Sequence, residues 1–218
     1  MEKVKHNNAK LPIKVAFKEH SKLNREILNH NVWIEKTSYR IALISIFSAL
    51  AVVLGYMLAY IPNIEMFTLT IFLSGFILGK KEGIIVGLLS SSIFTFFNPL
   101  GASPAPLFIY QIIHYSLTGL AGNITRNFLI KKNYFGAKED LYVFPIFLIF
   151  GFTGALITFI YDVISTTISA FLVSITFKYF IVTYMTGIIF TTIHLIGNVL
   201  SFVFLLPGLV LVVQKILD

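Results

Sequence analysis

The sequence predicts an all-α integral membrane protein: six transmembrane helices in a small bundle, with N-terminus and C-terminus both inside. Three observations predict it. Of 218 residues, 56% are hydrophobic and 12% are charged, roughly half the charge of an ordinary soluble domain. Uncharged stretches long enough to cross a bilayer recur along the chain. The 17 Lys and Arg gather in alternate connections. The net charge of +7 is therefore read as a topology signal, not as a nucleic-acid footprint. The absence of cysteine excludes disulfides, Cys-based metal sites and thiol nucleophiles.

Residues 1–40 form a basic N-terminal segment, cytoplasmic or interfacial, ahead of a membrane domain over 41–218. Its start, MEKVKHNNAKLPIK, has no apolar run, so no cleavable signal peptide is expected. Residues 13–35 offer an amphipathic helix for the headgroup layer, with Val15, Leu23, Ile27 and Trp33 on the apolar side; a solvated basic tail is the plainer reading. Span one runs from Ile41 to Ile64, free of charge and ended by Pro62-Asn63 and Glu65. Span two, Met66–Gly79, is short for a hydrocarbon layer of about 30 Å, so it either extends back through the Pro62 turn or is shielded by protein. Gly83 to Arg126 is too long for one span, and Asn98, Pro99, Gly101, Pro104 and Pro106 divide it into spans three and four. Span five begins near Leu141 and reaches Asp162. The hydroxyl-rich stretch after it continues the helix or folds back at the surface. Span six covers about Thr183 to Gln214, where Pro207 predicts a kink or the cytoplasmic exit.

With the N-terminus inside, the inner segments 1–40, 80–82, 126–140 and 215–218 carry nine, two, four and one cations. The outer turns near 62–65, 98–106 and 174–182 carry Lys178 alone. That asymmetry obeys the positive-inside rule at every loop, and five or seven spans would break it.

This topology sorts the polar residues by depth. Asn63 and Glu65 sit in the first outer turn and Asn98 in the second. Gln111 and His114 follow Pro106 closely and share a face of span four, being three residues apart. Tyr110 is their aromatic neighbour. Tyr161 and Asp162 close span five at the outer side, where the apolar sequence before them implies partial burial. His194 lies near the middle of span six, with Asn198 one turn deeper. Polar groups inside a membrane are costly and mark ligand or ion pathways, or they bond neighbouring helices to one another. The sequence leaves both readings open for Gln111, His114 and His194. Asn98 reads equally as a helix cap, and Glu65 as an ordinary loop charge. The Phe and Tyr residues near these positions would stack on a planar ring, but in a chain with 22 Phe core packing is the plainer role.

Small residues form a second pattern: Ser45/Ala49, Ala51/Gly55 and Gly55/Ala59 in span one, Gly75/Gly79, Gly83/Gly87, and Ser116, Gly119 and Gly122 in span four. Such spacings allow close helix approach. No GxxxxGK[ST] loop, HExxH or DDxxD-type acidic motif is present, and no G-x-S-x-G elbow. No catalytic residues, metal or cofactor are expected, and the chain is not expected to be an enzyme or a self-sufficient pump.

The layout and size, with the runs IPNIEMFTLTIFLSGFILGKKEGIIVGLLSSSIF, FNPLGASPAPLFIYQ, LITFIYDVIS and HLIGNVLSFVFLLPGL, resemble the substrate-binding S components of energy-coupling factor (ECF) vitamin transporters over about Ile41 to Leu209. The basic head is longer than is usual in that family. The resemblance implies a multi-pass protein of the prokaryotic plasma membrane that captures a vitamin-like small molecule near the outer face and topples in the lipid bilayer. It implies docking on a membrane scaffold subunit driven by two ATPase subunits, and no nucleic-acid partner. Family docking uses an Ala-x-x-x-Ala face on span one, and Ser45-x-x-x-Ala49 is its nearest match here. By the same analogy Asn63, Glu65, Asn98, Tyr110, Gln111, His114, Tyr161, Asp162 and His194 line the ligand site. The competing expectations are a membrane enzyme, or its accessory subunit, in lipid or isoprenoid metabolism, and a stand-alone facilitator.

Overall fold

The computed structural model describes residues 37–61, 64–98, 101–134 and 141–217, all within one unit spanning 33–218. The headgroup helix expected over 13–35, Asn63, and Pro99 lie outside the described residues. Every described element is helical: α1 (Thr37–Leu58), α2 (Phe67–Leu78), α3 (Lys80–Phe96), α4 (Ala105–Lys131), α5 (Phe144–Val173), α6 (Phe177–Thr186), α7 (Ile188–Leu200), a π-helical turn (Ser201–Leu205) and α8 (Leu206–Leu217).

Among the described residues, three helical stretches are long and apolar enough to cross a membrane: Thr37–Leu58, Phe144–Val173 and Ile188–Leu217. About a third or less of each is buried. The remaining faces are apolar too, with Ile46 and Met57 on α1, Phe152 on α5 and Ile189 on α7 exposed. Apolar residues on all sides suit a lipid surround, whereas in water such patches would drive association.

α2 is the centre of the packing. All twelve of its residues are buried. At about 1.5 Å per residue it spans only about 18 Å, and the surrounding helices supply the shield that its shortness demanded. Its two faces are built differently. Phe72 and Phe76 reach Phe202 and Phe150, with ring centroids 4.9 and 5.8 Å apart. Gly75 instead meets backbone: a Cβ there would stand 1.7 Å from the Gly119 carbonyl oxygen of α4. A Cβ on Gly83 of α3 would lie 2.5 Å from Gly75 Cα, and one on Gly119 2.0 Å from the Gly83 oxygen. Three helices thus touch backbone to backbone at one point, and only glycine fits all three positions. Gly87 against Tyr115 and Gly122 against Phe72 extend the contact along α4.

The connections depart from expectation in informative places. α2 and α3 are joined by Gly79 alone, whose φ of +114° is open to glycine and strained for other residues. Lys80 and Lys81 are therefore the first turn of α3, not a loop. Arg40, in the first turn of α1, pairs with the buried Glu82 carboxylate in the first turn of α3. α5 runs past Asp162 to Val173, so of the two readings left open for the hydroxyl-rich stretch the helix continuation is the one observed. Its hydroxyls bond back to its own carbonyls, Ser165 to Asp162 at 3.3 Å and Thr167 to Val163 at 2.7 Å, so they satisfy themselves without breaking the helix. α6 starts where Thr176 caps it by accepting the Tyr179 N–H. The stretch read as span six breaks at Gly187, so α7 begins at Ile188. Pro207 lies inside α8 and ends nothing. It lacks an N–H, and the turn before it widens so that the Leu206 N–H reaches the Ser201 carbonyl, as π-type turns do.

Candidate functional site

The site is assembled from four segments that the packing brings together: the residues before α2, the second and third turns of α4, the middle of α5, and α7. At its centre is His194, 7% exposed. Its Nδ1 lies 2.8 Å from Asp162 Oδ1 and its Nε2 3.2 Å from Glu65 Oε1. Asn198, one turn on, donates from Nδ2 to Glu65 Oε1 at 3.3 Å and to Thr158 Oγ1 at 2.9 Å. Thr68 also donates its hydroxyl to Glu65 Oε1. Burial pushes the Glu65 carboxyl up, but the hydrogen bond and charge of His194 carry it below its ordinary value, with help from Thr68 and Asn198. Glu65 is thus held as a carboxylate although its side chain is largely out of solvent.

Tyr161 joins this acid–histidine network to α4. Its hydroxyl accepts from Gln111 Nε2 at 2.9 Å. Its ring lies 5.1 Å from His114, 5.7 Å from Tyr115, 6.1 Å from Tyr110 and 6.1 Å from His194, centroid to centroid. Tyr110 donates to the Ile160 carbonyl at 3.2 Å and stands 3.4 Å from His114 Nδ1, pinning α4 to α5. An aromatic wall therefore runs beside the carboxylates, all of it on residues that helical periodicity brings to one face.

Eight of the residues singled out from sequence meet here: Glu65, Tyr110, Gln111, His114, Tyr161, Asp162, His194 and Asn198. Asn98 lies in the connection after α3, where its carbonyl accepts the Gly101 N–H at 3.0 Å; Gly101 has a φ of +110°. Ser45 and Ala49 are exposed on α1, one turn apart, and Ser45 Oγ donates to its own helix, at the Ile41 carbonyl, 3.0 Å away. Thr68, Tyr115 and Thr158 belong to the cluster and were not anticipated. Each had a sequence signal: Thr68 and Thr158 stand three and four residues from Glu65 and Asp162, and Tyr115 adjoins His114.

The arrangement offers two carboxylates, two imidazoles and three phenols in an otherwise apolar bundle. It can accept hydrogen bonds, stack against a flat group and hold positive charge. Among the described residues no group of three or more His, Asp and Glu is arranged to hold a metal ion. Compared with known protein families, with characterised proteins and with solved structures, the chain gives no match.

Proposed function

We propose that this chain is the membrane-embedded substrate-capture subunit of an ATP-driven importer of the ECF type, a six-span S component with both termini in the cytoplasm. The observation that carries the reading is the Glu65–His194–Asp162 network with the Tyr161 aromatic group beside it. Polar groups this numerous are expensive to bury within apolar helices, and they gather at one place instead of being scattered as helix glue. The three membrane-length helices supply α1, α5 and α7–α8 as spans. In this reading α3 and α4 cross as well, and α2 crosses inside a sheath of protein. The cationic ends of α1, α3, α4 and α8, at Arg40, Lys80, Lys81, Lys131 and Lys215, then face the cytoplasm together.

The apolar exterior suits a subunit that reorients in lipid, because tilting it exposes few charges. Reorientation needs a partner that binds two states differently, and the exposed Ser45/Ala49 face of α1 is the surface assigned to a scaffold subunit. Its vitamin-like substrate would enter between the first two outer turns.

Reconstitution tests this directly. Proteoliposomes holding the chain alone should bind substrate without accumulating it, and accumulation should require the scaffold, both ATPases and ATP. Ser45→Trp with Ala49→Trp should abolish co-purification of the complex while sparing binding. Uptake by the chain alone would establish a facilitator instead. Turnover of a lipid or isoprenoid substrate, lost in Asp162→Asn, would establish an enzyme.

A further inference from the structure

Proton counting at His194 fixes the charge of the site. Both ring nitrogens face carboxylate oxygens, at 2.8 and 3.2 Å. Each contact needs one proton to be a hydrogen bond. Two protons are then shared among one imidazole and two carboxyls. Either both sit on the ring, between two carboxylates, or one sits on the ring and one on a carboxyl. Both arrangements sum to one negative charge. Among the described residues, neither Lys nor Arg pairs with this cluster, the recorded cation–carboxylate pair of that kind being Arg40–Glu82. A buried charge without a partner is costly.

Among the described residues, three buried side-chain atoms of the network have no partner. Asn198 uses its amide N–H groups on Glu65 and Thr158, leaving Oδ1 buried with no partner; the residue is 1% exposed. Gln111 uses Nε2 on Tyr161, leaving Oε1 buried and free. Tyr110 spends its one proton on the Ile160 carbonyl, so its contact with His114 is made by an Nδ1–H. The His114 Nε2, buried and unpartnered, is then a bare lone pair. Three acceptors lack donors in a network that carries a surplus negative charge, and the ring of Tyr161, 5.1 Å from His114 and 6.1 Å from His194, offers a cation an aromatic face.

We infer that the site takes a small organic monocation bearing at least two N–H donors, such as a protonated amine, amidine or aminated heteroaromatic ring, and rejects anions. The inference rests on the capture reading above and names the substrate class of that site. The cation supplies the missing charge, and its N–H groups satisfy Asn198, Gln111 and His114.

The test uses the full chain in lipid nanodiscs and a bacterial small-molecule extract, divided by ion exchange into cationic, neutral and anionic fractions. Bound molecules are identified by mass spectrometry after washing. The expected result is a ligand taken from the cationic fraction, bound about tenfold or more weakly by Glu65→Gln, which removes the surplus charge. A ligand taken from the anionic or neutral fraction overturns the inference and leaves the capture reading standing. No ligand from any fraction, with the protein monodisperse and helical, overturns both. Unchanged affinity in a folded Glu65→Gln protein also overturns the inference, because the charge would then play no part in binding.

Discussion

Asp162 and His194 stand 2.8 Å apart across the α5–α7 interface, an acid and a histidine that close a contact between two of the membrane-length stretches. Removing one partner strands the other in an apolar setting. Asp162→Ala is expected to destabilise the fold by about 3 kcal/mol or more, read from unfolding in detergent on titration with SDS. Adding His194→Ala should cost less than the sum of the two single changes, because the groups act together.

Glu65 gives the pH dependence. Its carboxyl is held below its ordinary value by His194, Thr68 and Asn198. A carboxyl with a lowered folded-state pKa contributes stability that is present above its unfolded value and lost as pH falls through the folded one. Thermal stability should therefore hold steady down to the ordinary carboxylate range and fall below it. Glu65→Gln should flatten that acid limb in a melting series across pH.

The glycine contact predicts a sharp contrast between positions. Gly75→Ala would place a Cβ 1.7 Å from the Gly119 carbonyl oxygen, and backbone must move to admit it. A loss of about 1–3 kcal/mol or more is expected, with helices α2, α3 and α4 forced apart. Gly151→Ala meets side chains and not backbone, a Val203 methyl at 3.0 Å and a Val199 methyl at 3.8 Å, so a shift of a few tenths of an ångström admits it. There the gain of about 1 kcal/mol in helix propensity should offset the crowding. Detergent melting temperatures of the two variants separate the cases.

Arg40 and Glu82 tie the first turns of α1 and α3. Glu82 is buried and Arg40 is half-exposed, so the loss falls mainly on the acid. Arg40→Ala should destabilise by about 1–3 kcal/mol, since the carboxylate is left unpaired. Arg40→Ala combined with Glu82→Gln should recover part of that loss, because a neutral amide is cheaper to bury. A double-mutant cycle in detergent measures both.

Much of this was legible in the chain. Charge-free runs and the breakers at Pro62 and Asn98–Pro106 mark several helix ends, the spacing of Gly75, Gly83 and Gly119 marks close packing, and the break at Gly187 was not read from sequence. Glu65, Gln111, His114, Asp162 and His194 stood out because polar residues are rare in such a composition. Other features depend on partners distant in sequence. That Glu65 is a buried ligand of His194 and not a loop charge follows from α2 being sheathed, which local sequence does not state. The extension of α5 past Asp162 depends on hydroxyls bonding backward, and a run such as Ser165-Thr166-Thr167 reads equally as a turn. Gly79 shared the spacing of packing glycines but serves as a joint, because its φ is what lets α3 follow α2 without a loop.

The central claim is that the Tyr161 cluster binds a small molecule and is not merely helix packing. Native mass spectrometry of the intact protein, loaded from a cell extract, tests it most directly when wild type is compared with Gln111→Ala/His114→Ala. Wild type should carry one small molecule per chain, and the folded double variant should be bare. If the double variant carries the same molecule in the same proportion, the cluster is structural and the account is wrong.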